Sequence, residues 1–306
     1  MLEIGLYGLG RMGGNMARRL SRGGVRVLAY NRSFEVTRIL ADDEANIVAC
    51  HSLEEMVAGL ATPRVVWLML PAGEATELAV NTLCDMLSPG DLLVDGANSH
   101  YKDAQRRAVV AEGRGLDFVD VGVSGGIWGL HNGYCLMAGG RSEAVERLTP
   151  YLRILAPAPD RGWLHVGSSG AGQFVKMVHN GIEYGMMQAL AEGFALMQAK
   201  EEYDLDLAAI AELWRHGSVV RSWLLDLTAD FLKADQTLAD IKPFVADSGE
   251  GRWTALEAID LGVPTPVMSL ALMMRFASQG SNDYANKLLA MMRKGFGGHA
   301  VKGKGG

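Results

Sequence analysis

Short apolar runs alternate with helical stretches through the first half of the chain. Glu3 to Tyr7, Arg26 to Tyr30, Val65 to Leu70, Leu92 to Asp95 and Phe118 to Val121 read as strands. Between them, residues 13–22, 34–42, 53–60, 74–87 and 101–112 carry apolar side chains at helical spacing. This rhythm predicts βαβ units and a mostly parallel, doubly wound sheet. After Trp163 to Val166 the strand signals fade, and Ser168-Ser169-Gly170-Ala171-Gly172 opens a proline-free stretch to about Ala199 that predicts one long, largely buried helix. Further helical patterns cover 206–215, 219–234, 253–261, 265–278 and 282–294. The expectation is an α/β domain over 1–166 followed by an all-helical domain over 167–306, with no internal repeat. The closing glycine-rich segment, 295–306, reads on composition alone as a solvated, mobile end.

The composition fits this picture. With 306 residues, 49% of them hydrophobic and 21% charged, and only 9 prolines, the chain is globular rather than disordered. Its 29 basic and 35 acidic residues leave a net charge of −6, so no global field draws it to nucleic acid or to an anionic membrane. Any anionic ligand must be held by local cations. No apolar stretch approaches the roughly 18 to 20 residues that span a bilayer, and the start lacks the basic flank of a signal peptide; a cytoplasmic protein is expected. Cys50, Cys84 and Cys135 are odd in number and lack metal-ligand spacing, which fits buried free thiols and supports neither a disulfide framework nor a metal site.

Gly8-Leu9-Gly10-Arg11-Met12-Gly13 follows the first strand and enters the first helix. Missing side chains there let the backbone approach a pyrophosphate at a helix N-terminus, so Gly8, Gly10, Met12 and Gly13 are read as cofactor-binding and the domain as a Rossmann-type dinucleotide fold. The second strand ends in Tyr30-Asn31-Arg32-Ser33, where an NAD site would place an acidic residue on the ribose. Arg32 with Asn31 and Ser33 suits a 2′-phosphate instead, favouring NADP over NAD. Leu70-Pro71-Ala72-Gly73 falls where such folds pass the cofactor's ribose.

In the long helix Lys176, His179, Asn180, Glu183 and Tyr184 interrupt an apolar background. At 3.6 residues per turn they fall within an arc of about 140°, one face. Lys176 and Glu183 are about 10 Å apart along the axis, too far for the usual i, i+4 ion pair, so a cleft wall is the more natural reading. Burial would lower the pKa of such a lysine, making it a base, and raise that of Glu183, making it an acid. Two loops, Asp95-Gly96-Ala97-Asn98-Ser99 and Val123-Ser124-Gly125-Gly126, follow strands at the carboxyl ends where doubly wound sheets bind ligands.

These segments, with Phe174-Val175-Lys176-Met177-Val178-His179-Asn180-Gly181-Ile182-Glu183-Tyr184-Gly185 as the most specific, together resemble the decarboxylating 6-phosphogluconate dehydrogenases. The likeness continues through Gly251-Arg252-Trp253-Thr254 to Arg293 and Phe296-Gly297-Gly298-His299, and the length matches a short-chain branch. The resemblance implies oxidation of 6-phosphogluconate at C3 with NADP or NAD, loss of CO2, and release of ribulose 5-phosphate. It makes Lys176 the base at the C3 hydroxyl and Glu183 the acid that protonates C1. It assigns Asn98, Ser124, Gly125, Gly126, His179 and Asn180 to the sugar, and Tyr184 and Arg275 to the phosphate. Arg293 and His299 would belong to an arm reaching a neighbouring subunit, in a homodimer or homotetramer, which would make the tail ordered on assembly. Metal is not required by this chemistry.

Two positions depart from the pattern. Ser248 stands where longer members carry a phosphate-binding lysine, and Arg252 takes the lysine place of the GKWT-like segment. The competing readings are another β-hydroxyacid dehydrogenase, such as a 3-hydroxyisobutyrate type, and a nucleotide-binding protein without turnover.

Overall fold

The computed structural model describes residues 2–280 and 283–297. Its chain divides into two compact units, residues 1–178 and 179–306. In the first, β1 (Glu3–Tyr7), α1 (Arg11–Arg22), β2 (Arg26–Tyr30), α2 (Phe34–Asp43), β3 (Ile47–Ala49), α3 (Leu53–Ala58), β4 (Val65–Leu68), α4 (Glu74–Met86), β5 (Leu92–Asp95), α5 (Tyr101–Gly113) and β6 (Asp117–Ser124) alternate in the expected order. They are followed by α6 (Gly129–Asn132), β7 (Cys135–Gly140), α7 (Ser142–Leu155) and β8 (Trp163–Gly167). The eight strands form one sheet in the order β3-β2-β1-β4-β5-β6-β7-β8. From β3 to β6 every pairing is parallel; β7 runs antiparallel to β6, and β8 parallel to β7.

The sheet is buried on both faces, which is why β4 and β5 read as unbroken apolar runs rather than as alternating ones. One core gathers Ile4, Leu6, Val27, Trp67 and Val94 beneath α1 and α7; the other gathers Leu28, Val66, Leu68, Leu93 and Phe118 beneath α3, α4 and α5. Because β1, β2, β4, β5 and β6 are mutually parallel, the segments that leave their carboxyl ends emerge along one edge. The order reverses between β1 and β4, the switch point at which such sheets bind ligands.

The helix α8 (Ala171–Gln198) is continuous for 28 residues and passes from the first unit into the second. The rest of the second unit is α9 (Leu207–Trp214), α10 (Trp223–Ala234), α11 (Glu250–Asp260), α12 (Pro266–Ser278) and α13 (Asp283–Gly297). One apolar cluster there joins Phe194, Leu207, Ala211, Leu225, Ala229 and Leu232, and a smaller one joins Tyr184, Ala271 and Leu272. Among the described residues no helix is long and apolar enough to cross a membrane. Cys50 and Cys84 are buried, whereas Cys135, at the start of β7, is exposed, against the expectation of three buried thiols.

Candidate functional site

At the switch point, Gly8 leaves β1 with φ +101°, a conformation that disfavours any side chain, and a Cβ there would meet the Met69 carbonyl at 2.5 Å. Gly13 packs directly on the Gly8 carbonyl. Gly10 is the N-cap of α1; a Cβ on it would meet nothing within 4 Å, no side chain caps the helix, and its first turn holds no acidic residue. An uncapped helix N-terminus behind a bare glycine fits a pyrophosphate, so these residues are suited to a dinucleotide. The Leu9 N–H donates to Asn31 Oδ1 at 3.1 Å, which ties this loop to the end of β2. Asn31 therefore sets the loop's shape in this conformation.

Arg32 and Ser33 are exposed beyond it, and Arg32 forms no ion pair among the described residues. Its charge is felt by Tyr7, whose hydroxyl burial raises and Arg32 lowers. Leu70 is half-buried and Pro71 and Ala72 exposed after β4, with the Thr76 hydroxyl donating to the Pro71 carbonyl at 2.8 Å.

The loop after β5 presents Asn98 on its surface and is fastened from below. The buried Arg107 guanidinium of α5 holds Asp95 Oδ2 and the Ser99 hydroxyl, each at 2.9 Å, and also Glu77. The Ala97 N–H donates to Asp95 Oδ1 at 3.0 Å. Burial pushes the Asp95 carboxyl up and Arg107 pulls it back. Ser124 is the last residue of β6, one element earlier than a loop reading places it, because β6 continues to pair with β7 through Ser124 and Cys135. Gly125 (φ +127°) and Gly126 follow at the edge.

Lys176 is 93% buried, with 7% of its surface exposed. It lies against β6: a Cβ on Gly122 would overlap the Lys176 side chain and come within 2.6 Å of the Gly172 carbonyl. The lysine thus stands at the carboxyl end of β6, two residues of strand from Ser124. Sequence reading did not single out the three buried polar side chains beneath it, Asp120, Arg107 and Gln173. A lone carboxylate inside Phe118-Val119-Asp120-Val121 was the available signal for the first.

In the second unit His179 Nδ1 lies 3.2 Å from Asn180 Oδ1 and 3.7 Å from Glu183 Oε2, one turn along α8. Asn180 and Tyr184 are buried, while His179 and Glu183 are half-exposed. The Arg275 guanidinium of α12 stacks on the Tyr184 ring, 3.6 Å from its centroid, and donates to the Ala246 carbonyl at 2.8 Å. The Tyr184 hydroxyl is 3.4 Å from that of Ser248, which donates to the buried Glu250 at 2.5 Å. Arg252 pairs with Asp247 and lies over the Phe276 ring. Both departures from the expected cation pattern are therefore occupied by local pairing. Arg293 is exposed on α13, and His299 lies outside the described residues. Among the described residues no group of His, Cys, Asp and Glu could hold a metal ion.

Residues 3–167 match the NAD binding domain of 6-phosphogluconate dehydrogenase, and residues 172–301 match the 6-phosphogluconate dehydrogenase C-terminal domain. A Haloferax volcanii NAD(+)-dependent, decarboxylating 6-phosphogluconate dehydrogenase is 40% identical over 304 residues, covering 99% of both chains. The NADP(+)-dependent, decarboxylating enzyme of Bacillus subtilis is 38% identical over 289 residues, which are 90% of this chain and 61% of the relative. The chain thus spans the full length of one relative and about three-fifths of the other. Among solved structures, Plasmodium falciparum 6-phosphogluconate dehydrogenase, studied with NADP+ and with its substrate 6-phosphogluconate, superposes with a TM-score of 0.84 at 30% identity, over 99% of this chain and 66% of that one. A Mycobacterium tuberculosis 3-hydroxyisobutyrate dehydrogenase shares the fold at a TM-score of 0.72 and 24% identity, over 92% and 94% of the two chains. The chain belongs to the 6-phosphogluconate dehydrogenase family.

Proposed function

We propose that the protein oxidises and decarboxylates 6-phosphogluconate to ribulose 5-phosphate and CO2, using NADP or NAD. The observation that carries this reading is the buried Lys176 seated on Gly122 at the carboxyl end of β6. A primary amine held out of water is easier to deprotonate than one in solution, which suits a general base. Lys176 takes the proton of the C3 hydroxyl. Held at the Gly8, Gly10 and Gly13 loop, a nicotinamide cofactor would supply the oxidation as the hydride acceptor for C3. The resulting 3-keto acid loses CO2, because the ketone takes up the electron pair released from the carboxylate bond, and Lys176 returns its proton to the forming enediol oxygen. Glu183 then protonates C1, completing ribulose 5-phosphate.

Asn98, Ser124, Gly125, Gly126, His179 and Asn180 bind the sugar in this reading. Tyr184 and Arg275 take the phosphate, with Arg293 and His299 contributed by an arm. The stacked Arg275 supports the phosphate role, since its fork is pre-set by the Tyr184 ring. Arg32, exposed and without an ion pair among the described residues, would take a cofactor 2′-phosphate. Exposed Val267, Leu270, Met273 and Met274 on α12 support a homodimer or homotetramer. The three free thiols support a cytoplasmic setting.

The test is to incubate the purified protein with 6-phosphogluconate and NADP or NAD while following reduced nicotinamide and CO2 together. One CO2 per reduced nicotinamide is expected. Reduction without gas would instead favour a simple β-hydroxyacid dehydrogenase, and no turnover would favour a binding protein.

A further inference from the structure

The mechanism leaves unused a carboxylate and an amide that are among the most buried polar groups of the first unit. Asp120, in the middle of β6, has no exposed surface, and Gln173, in the first turn of α8, has 1%. Asp120 Oδ1 accepts the Gly170 N–H at 2.6 Å and Oδ2 accepts the Gln173 N–H at 2.8 Å. One side chain of the sheet therefore caps the helix that carries Lys176. The slot around it is cut to size, since a Cβ at Gly139 would meet Oδ1 at 2.7 Å and one at Gly172 would meet Oδ2 at 2.9 Å.

Gln173 continues the fastening from the helix side. Its Nε2 donates to the Ala97 carbonyl and lies 3.3 Å from that of Asp95 and 3.4 Å from that of Val121, while its buried Oε1 has no partner among the described residues. Ala97 immediately precedes Asn98, and Val121 immediately precedes Gly122, the seat of Lys176. An ordinary cap needs only a hydroxyl or an amide at the helix start. A fully buried carboxylate costs several kcal/mol to desolvate and is kept where its hydrogen bonds fix a geometry. The geometry fixed here is the starting point and rotation of α8 relative to the ends of β5 and β6.

We propose that Asp120 and Gln173 are positioning residues for Lys176: together they lock the first turn of α8 onto the Asn98 loop and β6, so that the amine reaches the C3 hydroxyl in register. This inference rests on Lys176 being the base. Gln173, one turn before Lys176, transmits any slip of the helix to it directly, and displacements of about 1 Å suffice to cost about 100-fold in rate.

The test uses Asp120→Asn, which keeps one acceptor and turns an N–H against the other donor, and Gln173→Met, which keeps length and removes the donor. Each is assayed with 6-phosphogluconate and its C3-deuterated form, alongside Lys176→Ala. In both variants kcat should fall about 10-fold or more while KM and the cofactor Kd stay within about threefold, with the deuterium isotope effect on kcat kept or increased. Gln173→Met carries the test if Asp120→Asn does not fold. A lowered melting temperature with kcat within about twofold of wild type would mean a merely structural role and would overturn the inference. So would a kcat loss accompanied by collapse of the isotope effect, which places the slow step elsewhere. If Lys176→Ala itself turns over normally, the reading of the base fails instead.

Discussion

Gly122 of β6 and Lys176 of α8 meet at backbone distance: a methyl group on the glycine would overlap the lysine's own Cβ and stand 2.6 Å from the Gly172 carbonyl. No side chain at position 122 can be accommodated without moving the helix. Gly122→Ala is therefore expected to cost about 1–3 kcal/mol of stability through overpacking. It should also lower kcat by about 10-fold or more through displacement of the amine. Thermal unfolding and steady-state kinetics on the folded variant check both. A variant with wild-type kcat would show that the position of Lys176 does not limit turnover.

The cofactor preference turns on Arg32. It stands exposed at the end of β2, next to an Asn31 already engaged with the Leu9 N–H. A charge-assisted contact to a 2′-phosphate is worth about 1.5–3 kcal/mol, or about 10- to 150-fold in affinity. Arg32→Ala should raise KM for NADP by about 10-fold or more and change KM for NAD by less than about twofold. An equal effect on the two cofactors would remove the 2′-phosphate role.

The cap on α8 has a cost that depends on pH. Burial pushes the Asp120 carboxyl up from its ordinary value of 3.8 to about 7, the Gly170 and Gln173 amides pull it down, and the neighbouring Asp95 charge raises it further. Asp95 itself is ion-paired with the buried Arg107 guanidinium at 2.9 Å. Because the folded value exceeds the unfolded one, the folded chain keeps a proton that the unfolded chain has shed. Stability from this group is complete below the ordinary 3.8 and is lost as pH rises through about 7. Melting temperatures of wild type at pH 5, 6, 7 and 8 should fall more steeply than those of Asp120→Asn. Parallel profiles would mean that Asp120 does not titrate in this range.

What the sequence revealed follows from which signals are local. The glycine loop and the apolar β1, β2, β4 and β5 each carry their pattern within one segment and formed as expected; α8 is one long helix as read, but Val175, Ile182, Met186, Met187 and Leu196 are exposed on it, against the expectation of a largely buried helix. β7 was not legible because Gly139 and Gly140 interrupt its short apolar run, yet it pairs with β6 over six positions and carries β6 on to Ser124. α7 was hidden by Pro150 in its interior, and β3 by its three-residue length. The supports of the site escaped for a different reason. Arg107 and Asp95 are twelve residues apart, and Asp120 and Gly170 fifty, so their pairing exists only once the sheet has formed.

The central claim, that Lys176 performs the proton transfer, is tested most directly by Lys176→Ala measured for turnover of 6-phosphogluconate and, separately, for cofactor binding by nicotinamide fluorescence. General-base catalysis of this kind contributes about 100- to 10,000-fold. The account expects kcat to fall by that order with the cofactor Kd within about twofold of wild type. Retained turnover, or loss of cofactor binding in step with activity, would contradict it.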